Sequence, residues 1–298
     1  MKKKILVVGG TGFIGVNLLK KLSLLKFKCS SLSTSNPKKN KKVVGVNYII
    51  LDITNKKEFK KLNKLKFDVV INLGGYIDHS KTQKTFKSHF SGVKNLVNYF
   101  KDKKLKLFIQ IGSSLEYGKK KSPQQETIKC KPRGNYGLAK YKASSYLINN
   151  TNLNFNYIIL RLYQVYGPYQ DTSRLIPQVI TSCINNEEFK CTMGSQLRDF
   201  LYIDDLVSLI IKILKIKKLS NDVYNVGSGE PKSVKSIIKI INKKLNTGKP
   251  LFGAIKMRKD EINKLYPSIK KIKSKFNWVP KINILQGLTR TIKYYEKD

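Results

Sequence analysis

Histidine, arginine and acidic residues are all scarce in this chain. Only His79 and His89 stand in 298 residues, too few for a zinc site or a Ser-His-Asp triad. The four cysteines, Cys29, Cys130, Cys183 and Cys191, are scattered and form no C-x-x-C pair. They read as reduced thiols of a cytoplasmic protein, with no metal site. No apolar run reaches the roughly 18 residues of a membrane span; the longest, Leu206 to Leu214, is interrupted by Lys212. At the start, basic residues precede only four apolar ones before glycine intervenes, which reads as a first strand and not a signal peptide. Nineteen acidic residues face 59 basic ones, for a net charge of +40. Of the basic residues only six are arginine: Arg133, Arg161, Arg174, Arg198, Arg258 and Arg290. Bidentate recognition of phosphate or guanine favours arginine, and the lysines are spread along the whole chain without a basic tail. They read as solvated faces, so neither nucleic acid nor membrane is an expected partner, although the charge still draws in an anionic substrate.

What the chain does have begins at its fifth residue. Ile5-Leu6-Val7-Val8 is a short, fully apolar run suited to a strand buried on both faces of a parallel sheet. It breaks into Gly9-Gly10-Thr11-Gly12-Phe13-Ile14-Gly15, and an apolar helical pattern follows through Leu18, Leu19, Leu22 and Leu25. Strand, glycine turn and helix is the setting of a dinucleotide-binding fingerprint. Gly9 permits the sharp turn, Gly12 lets backbone approach a pyrophosphate, and Gly15 lets the helix pack on the strand. The helix amino end, from Thr11, Phe13 and Ile14 onward, turns its free N–H groups to the phosphates. A 298-residue chain opening this way is expected to be α/β: a doubly wound parallel (Rossmann) sheet with a smaller C-terminal substrate lobe.

Strand two, Lys28 to Leu32, leads into Ser33, Thr34, Ser35 and Asn36, then Lys38 and Lys39. The acid that would hold a ribose 2′-hydroxyl is missing, and small hydroxyls beside lysines suit a 2′-phosphate, which favours NADP(H) while leaving NAD(H) open. Tyr48 to Leu51 reads as strand three. Asp52, followed by Ile53, either touches the adenine edge or caps a helix starting near Asn55. Asp68 to Leu73 is strand four, and its end, Leu73-Gly74-Gly75, exposes backbone where such sheets bind ligand. Thr82 to Phe100 reads as one long helix, with His89 as a packed, hydrogen-bonded core group before a catalyst. Strand five, Leu105 to Ile111, ends in Gly112-Ser113-Ser114-Leu115-Glu116-Tyr117-Gly118. Asn135-Tyr136-Gly137-Leu138-Ala139-Lys140 opens a further helix.

Tyr136 and Lys140 are spaced i, i+4 and share a helix face. A free tyrosine titrates near about 10. An ammonium one turn away and a charged nicotinamide would stabilise its phenolate. Tyr136 could then exchange a proton with a sugar oxygen that Ser113 holds in line.

Together these pieces resemble the extended short-chain dehydrogenase/reductase family of nucleotide-sugar epimerases, dehydratases and 4-ketoreductases. Arg161-Leu162-Tyr163-Gln164-Val165-Tyr166-Gly167-Pro168 is similar to its R-x-x-N-V-Y-G-P segment, with Gln164 in place of asparagine. Arg198-Asp199-Phe200 through Asp204, Asn225-Val226-Gly227-Ser228-Gly229, Arg258 and Phe276-Asn277-Trp278-Val279-Pro280 also fit, so the resemblance spans essentially the whole chain. It implies a catalytic set of Ser113, Tyr136 and Lys140. It implies cofactor contacts along Gly9 to Gly15, at Ser33, Thr34, Asp52 and Ile53, at Leu73 to Gly75, and at Tyr136 and Lys140. Substrate contacts would come from Ser113, Ser114, Gln164, Arg174, Arg198 and Arg258, the last two on the diphosphate. The competing reading of those two arginines is ion pairing with Asp199 or Asp260. Asp204 reads as the cap of the Leu206 to Leu214 helix. In the family's dehydratases an Asp-Glu pair follows the catalytic serine or threonine; here Ser114-Leu115 does, so elimination of water lacks its acid.

The closest likeness within the family is to CDP-abequose/paratose-type synthases and dTDP-6-deoxy-talose 4-dehydrogenases, through Cys191 to Phe200 and Leu251 to Ile255. The expected domains are 1–165 plus about 200–226 for the dinucleotide, and about 166–199 plus 227–298 for the nucleotide sugar, with the active site in the cleft between them. The expected activity is NAD(P)H-dependent 4-ketoreduction of a nucleotide-activated 6-deoxyhexose. A UDP-glucose 4-epimerase-like enzyme with retained NAD is the alternative. A non-catalytic cofactor-sensing or nucleic-acid-binding protein is the alternative of another class. The resemblance also implies a homodimer.

Overall fold

The computed structural model describes residues 3–76, 78, 80–258 and 260–297. By their contacts these divide into two compact units. The first is built from 1–120, 126–162 and 211–224, and the second from 121–125, 163–210 and 225–298. The short return of 121–125 to the second unit is not visible in any composition shift.

In chain order the first unit begins with β1 (Lys4–Val8), α1 (Phe13–Leu24), β2 (Lys28–Ser33), β3 (Val46–Ile50) and β4 (Val69–Asn72). A helical run follows, made of α2 (Thr82–Phe86), one widened π turn (Lys87–Ser91) and α3 (Gly92–Phe100). Then come β5 (Leu107–Ser113), α4 (Gly134–Ile148) and β6 (Asn156–Leu162). The second unit opens with β7 (Gln164–Tyr166), α5 (Leu175–Ile184), β8 (Glu188–Cys191) and β9 (Leu197–Tyr202). After α6 (Ile203–Lys215), β10 (Asp222–Val226) joins the first sheet, giving the seven-stranded order β10-β6-β5-β4-β1-β2-β3. The six strands from β3 to β6 are parallel throughout. This is the expected doubly wound sheet. Strand order reverses between β1 and β4, and it is there that sheets of this kind take a dinucleotide.

Burial explains the strand composition. Ile5, Leu6 and Val7 are wholly buried, as a central strand covered on both faces requires. Leu6, Val8, Leu32, Val70, Leu96, Phe108 and Leu147 belong to one core that joins the sheet to its helices. Each side chain of this size contributes about 1.5–3 kcal/mol by leaving water.

The rest of the second unit comprises β11 (Pro231–Ser233), α7 (Val234–Leu245), β12 (Lys249–Phe252), β13 (Lys264–Leu265), α8 (Lys270–Phe276) and α9 (Ile284–Tyr295). β9 carries β11, β13 and β7 as neighbours, and β8 pairs with β12.

Three local expectations change. The helix over 82–100 widens at His89. After β3, Asn55 and not Asp52 caps the 3-10 turn of Lys56–Leu62, by accepting from Lys57 N–H. Asp204 lies within the first turn of α6 and pairs with Arg290, so it does not cap that helix. Among the described residues, no helix is long and apolar enough to cross a membrane.

Candidate active site

The amino end of α1 is left open by its own sequence. Its N-cap, Gly12, supplies no side-chain acceptor, and the first turn carries no acidic residue. The exposed N–H groups and the positive end of the helix dipole are therefore available to an anion. Gly9 turns the chain with φ +78° and donates its N–H to Leu32 O at 2.7 Å. A Cβ on Gly15 would sit 2.3 Å from Gly9 O and 2.5 Å from Gly10 Cα, so only glycine lets helix and loop meet. At Gly12 a Cβ would meet nothing closer than Gly9 O, at 3.3 Å, leaving that side of the loop open. These features fit the pyrophosphate of a dinucleotide. Thr11 donates to Ser33 Oγ at 3.1 Å, tying the glycine loop to the end of β2. Thr34 beside it is exposed. Asp52 spends one carboxylate oxygen on Thr54 N–H, at 2.8 Å, while Ile53 is buried against Gly92 and receives Asn95 Nδ2 on its carbonyl.

Ser113 ends β5 and begins a capping box. Its Oγ accepts from Leu115 N–H at 3.2 Å, and Glu116 returns the favour by accepting Ser113 N–H at 2.8 Å. The neighbouring Ser114 is buried. Tyr136 lies in the first turn of α4, where the helix dipole favours negative charge. Lys140 is one turn further on, its Nζ 5.9 Å from the Tyr136 ring centroid. Burial pushes the Lys140 ammonium down to about 8, against the opposing pull of Glu116. Its Nζ donates to Ile111 O at 2.9 Å. The structure thus brings Ser113, Tyr136 and Lys140 onto β5 and α4 of one unit.

A buried polar chain underlies the set. Gly74 N–H donates to Asn72 Oδ1, Asn72 Nδ2 to Gln110 Oε1, and Gln110 Nε2 to Ile111 O, the same carbonyl that holds Lys140. Leu73 N–H is held by Val8 O. His89 fills the space beside Gly75, where a Cβ would fall 1.8 Å from the imidazole. It stands edge-on to the Tyr136 ring at 4.9 Å, with Nε2 3.1 Å from Tyr76 O. It is packed and hydrogen-bonded as anticipated, but against the tyrosine. His79 lies outside the described residues. Asn72, Gln110, Glu116 and Arg161 are not among the residues that the sequence assigns to the site, yet they bond to its backbone and to one another. Their signal was present: polar residues inside otherwise apolar strands, and Ser113-x-x-Glu116 as a capping box.

Apart from Ser113 and Ser114, the expected substrate residues lie in the second unit, with differing exposure. Gln164, Arg174 and Arg258 are exposed. Arg198 is buried and committed: it pairs with Glu261 and donates to Leu197 O and Ile262 O. Neither Asp199 nor Asp260 is the partner in that pair. Asp199 instead holds Ser228 N–H and Gly229 N–H, at 2.6 and 2.7 Å, shaping the Gly227-Ser228-Gly229 turn.

Residues 5–227 match the family model described as the NAD dependent epimerase/dehydratase family. The chain is 27% identical over 303 residues to a CDP-abequose synthase of Salmonella muenchen, covering 99% of both chains. It is 26% identical over 309 residues to a dTDP-4-dehydro-6-deoxyglucose reductase of Escherichia coli, covering 98% of this chain and 97% of that one. It superposes on the UDP-glucose 4-epimerase of Thermotoga maritima, solved with UDP-glucose, with a TM-score of 0.92, 25% identity and 99% of both chains covered.

Proposed function

The chain belongs to the NAD dependent epimerase/dehydratase family of nucleotide-sugar-modifying enzymes, and within it we propose an NADPH-dependent 4-ketoreductase of a nucleotide-activated 6-deoxyhexose. The observation that carries this reading is the seating of Lys140, a buried ammonium pinned to Ile111 O one turn beyond Tyr136. It stabilises the phenolate that remains once Tyr136 has given its proton away. Ser113 orients the C4 ketone by hydrogen bonding its oxygen, Tyr136 protonates that oxygen, and a proton from solvent restores the phenol. The hydride reaching C4 is the chemistry that a bound reduced nicotinamide supplies. The glycine loop would hold the pyrophosphate, and Thr11, Ser33 and Thr34 would line the adenosine ribose. The missing acid after β2, with Lys38 and Lys39 nearby, supports a 2′-phosphate there.

Gln164, Arg174 and Arg258 are the proposed contacts to the sugar nucleotide. Arg198 would join them only by giving up Glu261. Glu116 has both oxygens engaged, which agrees with a site that lacks the acid for eliminating water.

The likeness to the Thermotoga maritima epimerase favours a second reading, 4-epimerisation with retained NAD by the same three side chains. Denaturing the purified protein and measuring released ligand by absorbance and mass separates the two. An empty protein that melts higher with NADPH than with NADH supports the reductase. Stoichiometric NAD would replace it with the epimerase.

A further inference from the structure

We propose that Glu116, anchored by Arg161, is a positioning residue that fixes Ser113 and supplies the counter-charge for Lys140. The inference rests on the catalytic reading of Ser113, Tyr136 and Lys140 above.

Glu116 is fully buried, and its two oxygens have separate partners. One accepts Ser113 N–H at 2.8 Å and the other accepts Arg161 Nε at 2.9 Å. Arg161 is itself buried, with its guanidinium 4.6 Å from the Tyr117 ring centroid. The strand makes room for the carboxylate: a Cβ on Gly112 would fall 2.5 Å from Glu116 Oε1.

Hydrogen bonding alone does not call for an ion pair. A neutral pair of the same shape could hold Ser113 N–H without the cost of burying two charges. What the charge adds is read along β5: Glu116 Oε1 lies against Gly112, and Lys140 is bound to the carbonyl of the preceding residue, Ile111. Burial drives the Lys140 ammonium toward neutrality. The titratable groups around this point are Tyr136 on the same helix, His89 packed on Tyr136, Glu116 after β5, and Arg161 and Cys130 behind Glu116. Of these only Glu116 is a carboxylate, and its field opposes the effect of burial on Lys140. One carboxylate thus sets the position of the serine and the charge of the lysine.

Glu116→Gln keeps an acceptor for Ser113 N–H and removes the charge. Protein labelled with 13C at lysine Cε is titrated by NMR, and the Lys140 signal is identified by its loss in Lys140→Met. The expected midpoint, near 8 in the parent, falls by about one unit or more in Glu116→Gln. The alkaline limb of kcat moves down with it, while KM changes little. Glu116→Gln/Arg161→Gln guards against misfolding caused by an unpaired buried arginine; it should melt above the single variant and still titrate Lys140 below the parent. An unchanged Lys140 midpoint in both variants overturns the proposal. The titration needs no substrate: a lowered midpoint in an enzyme that turns over no 4-keto sugar would count against the reductase reading and leave this inference standing.

Discussion

On the proposed reading Tyr136 carries the proton, and the residues near it bear on its charge. Lys140 stands a turn away, the amino end of α4 lies beneath it, and His89 packs its ring. Tyr136→Phe removes the proton donor and nothing else of size. We expect kcat to fall by roughly 10²–10⁴-fold with NADPH affinity nearly unchanged, read by single-turnover kinetics and fluorescence titration. Lys140 makes the opposite trade. Its side chain is buried and its pKa is lowered from 10.5 to about 8. Between those values the unfolded chain holds a proton that the folded chain has released, so stability rises with pH across that window. Below 8 the folded state bears the full cost of a buried ammonium. Lys140→Met should therefore be inactive yet melt higher than the parent at pH 7, with the difference narrowing as pH rises from about 8 to 10.5. A variant that melts lower at pH 7 by calorimetry would contradict this. The three catalytic candidates were legible because their spacing carries chemistry. Glu116 and Gln110 carry a signal in the sequence, a capping box and a polar residue inside an apolar strand, but their partners Arg161 and Asn72 are identified only once the strands lie side by side.

Among the elements, the β1–loop–α1 unit is the one most fully specified by sequence. An apolar strand, a glycine triplet and an apolar helix face left little freedom, and the observed bounds agree. The close approach at Gly15 makes it testable. Gly15→Val places a side chain into the backbone of Gly9 and Gly10, where nothing flexible can give way. Cofactor affinity should fall by at least about 10²-fold, or the protein should fail to fold, as read by calorimetry with and without NADPH. The helical run over 82–100 was legible as helix but not as a helix with a widened turn. Nothing in its apolar period marks the π turn, which accompanies the packing of His89 beside Gly75 and Tyr136. Such turns recur at functional sites. Asp52 reads as a cap by residue type, but backbone geometry gives that place to Asn55, whose side chain accepts Lys57 N–H.

At the scale of the whole molecule, the sheet and its order follow from repeated strand–helix alternation. The passage of 121–125 into the second unit follows from pairing that lies far apart in the chain, such as Gln124 N–H on Tyr266 O. The net charge of +40 has no role in the fold. It should act on encounter with an anionic sugar nucleotide. Raising salt from about 20 to 200 mM should lower kcat/KM several-fold and leave kcat nearly constant, because screening weakens attraction at a distance and not the chemistry. The central claim is that this site reduces a 4-keto sugar at the expense of NADPH. Its most direct test is absorbance at 340 nm as a nucleotide-linked 4-keto-6-deoxyhexose is added to enzyme and NADPH. The account predicts one NADPH oxidised per sugar reduced, with the reaction abolished in Tyr136→Phe. No oxidation with a panel of such sugars, together with interconversion of UDP-glucose and UDP-galactose without added cofactor, would contradict it.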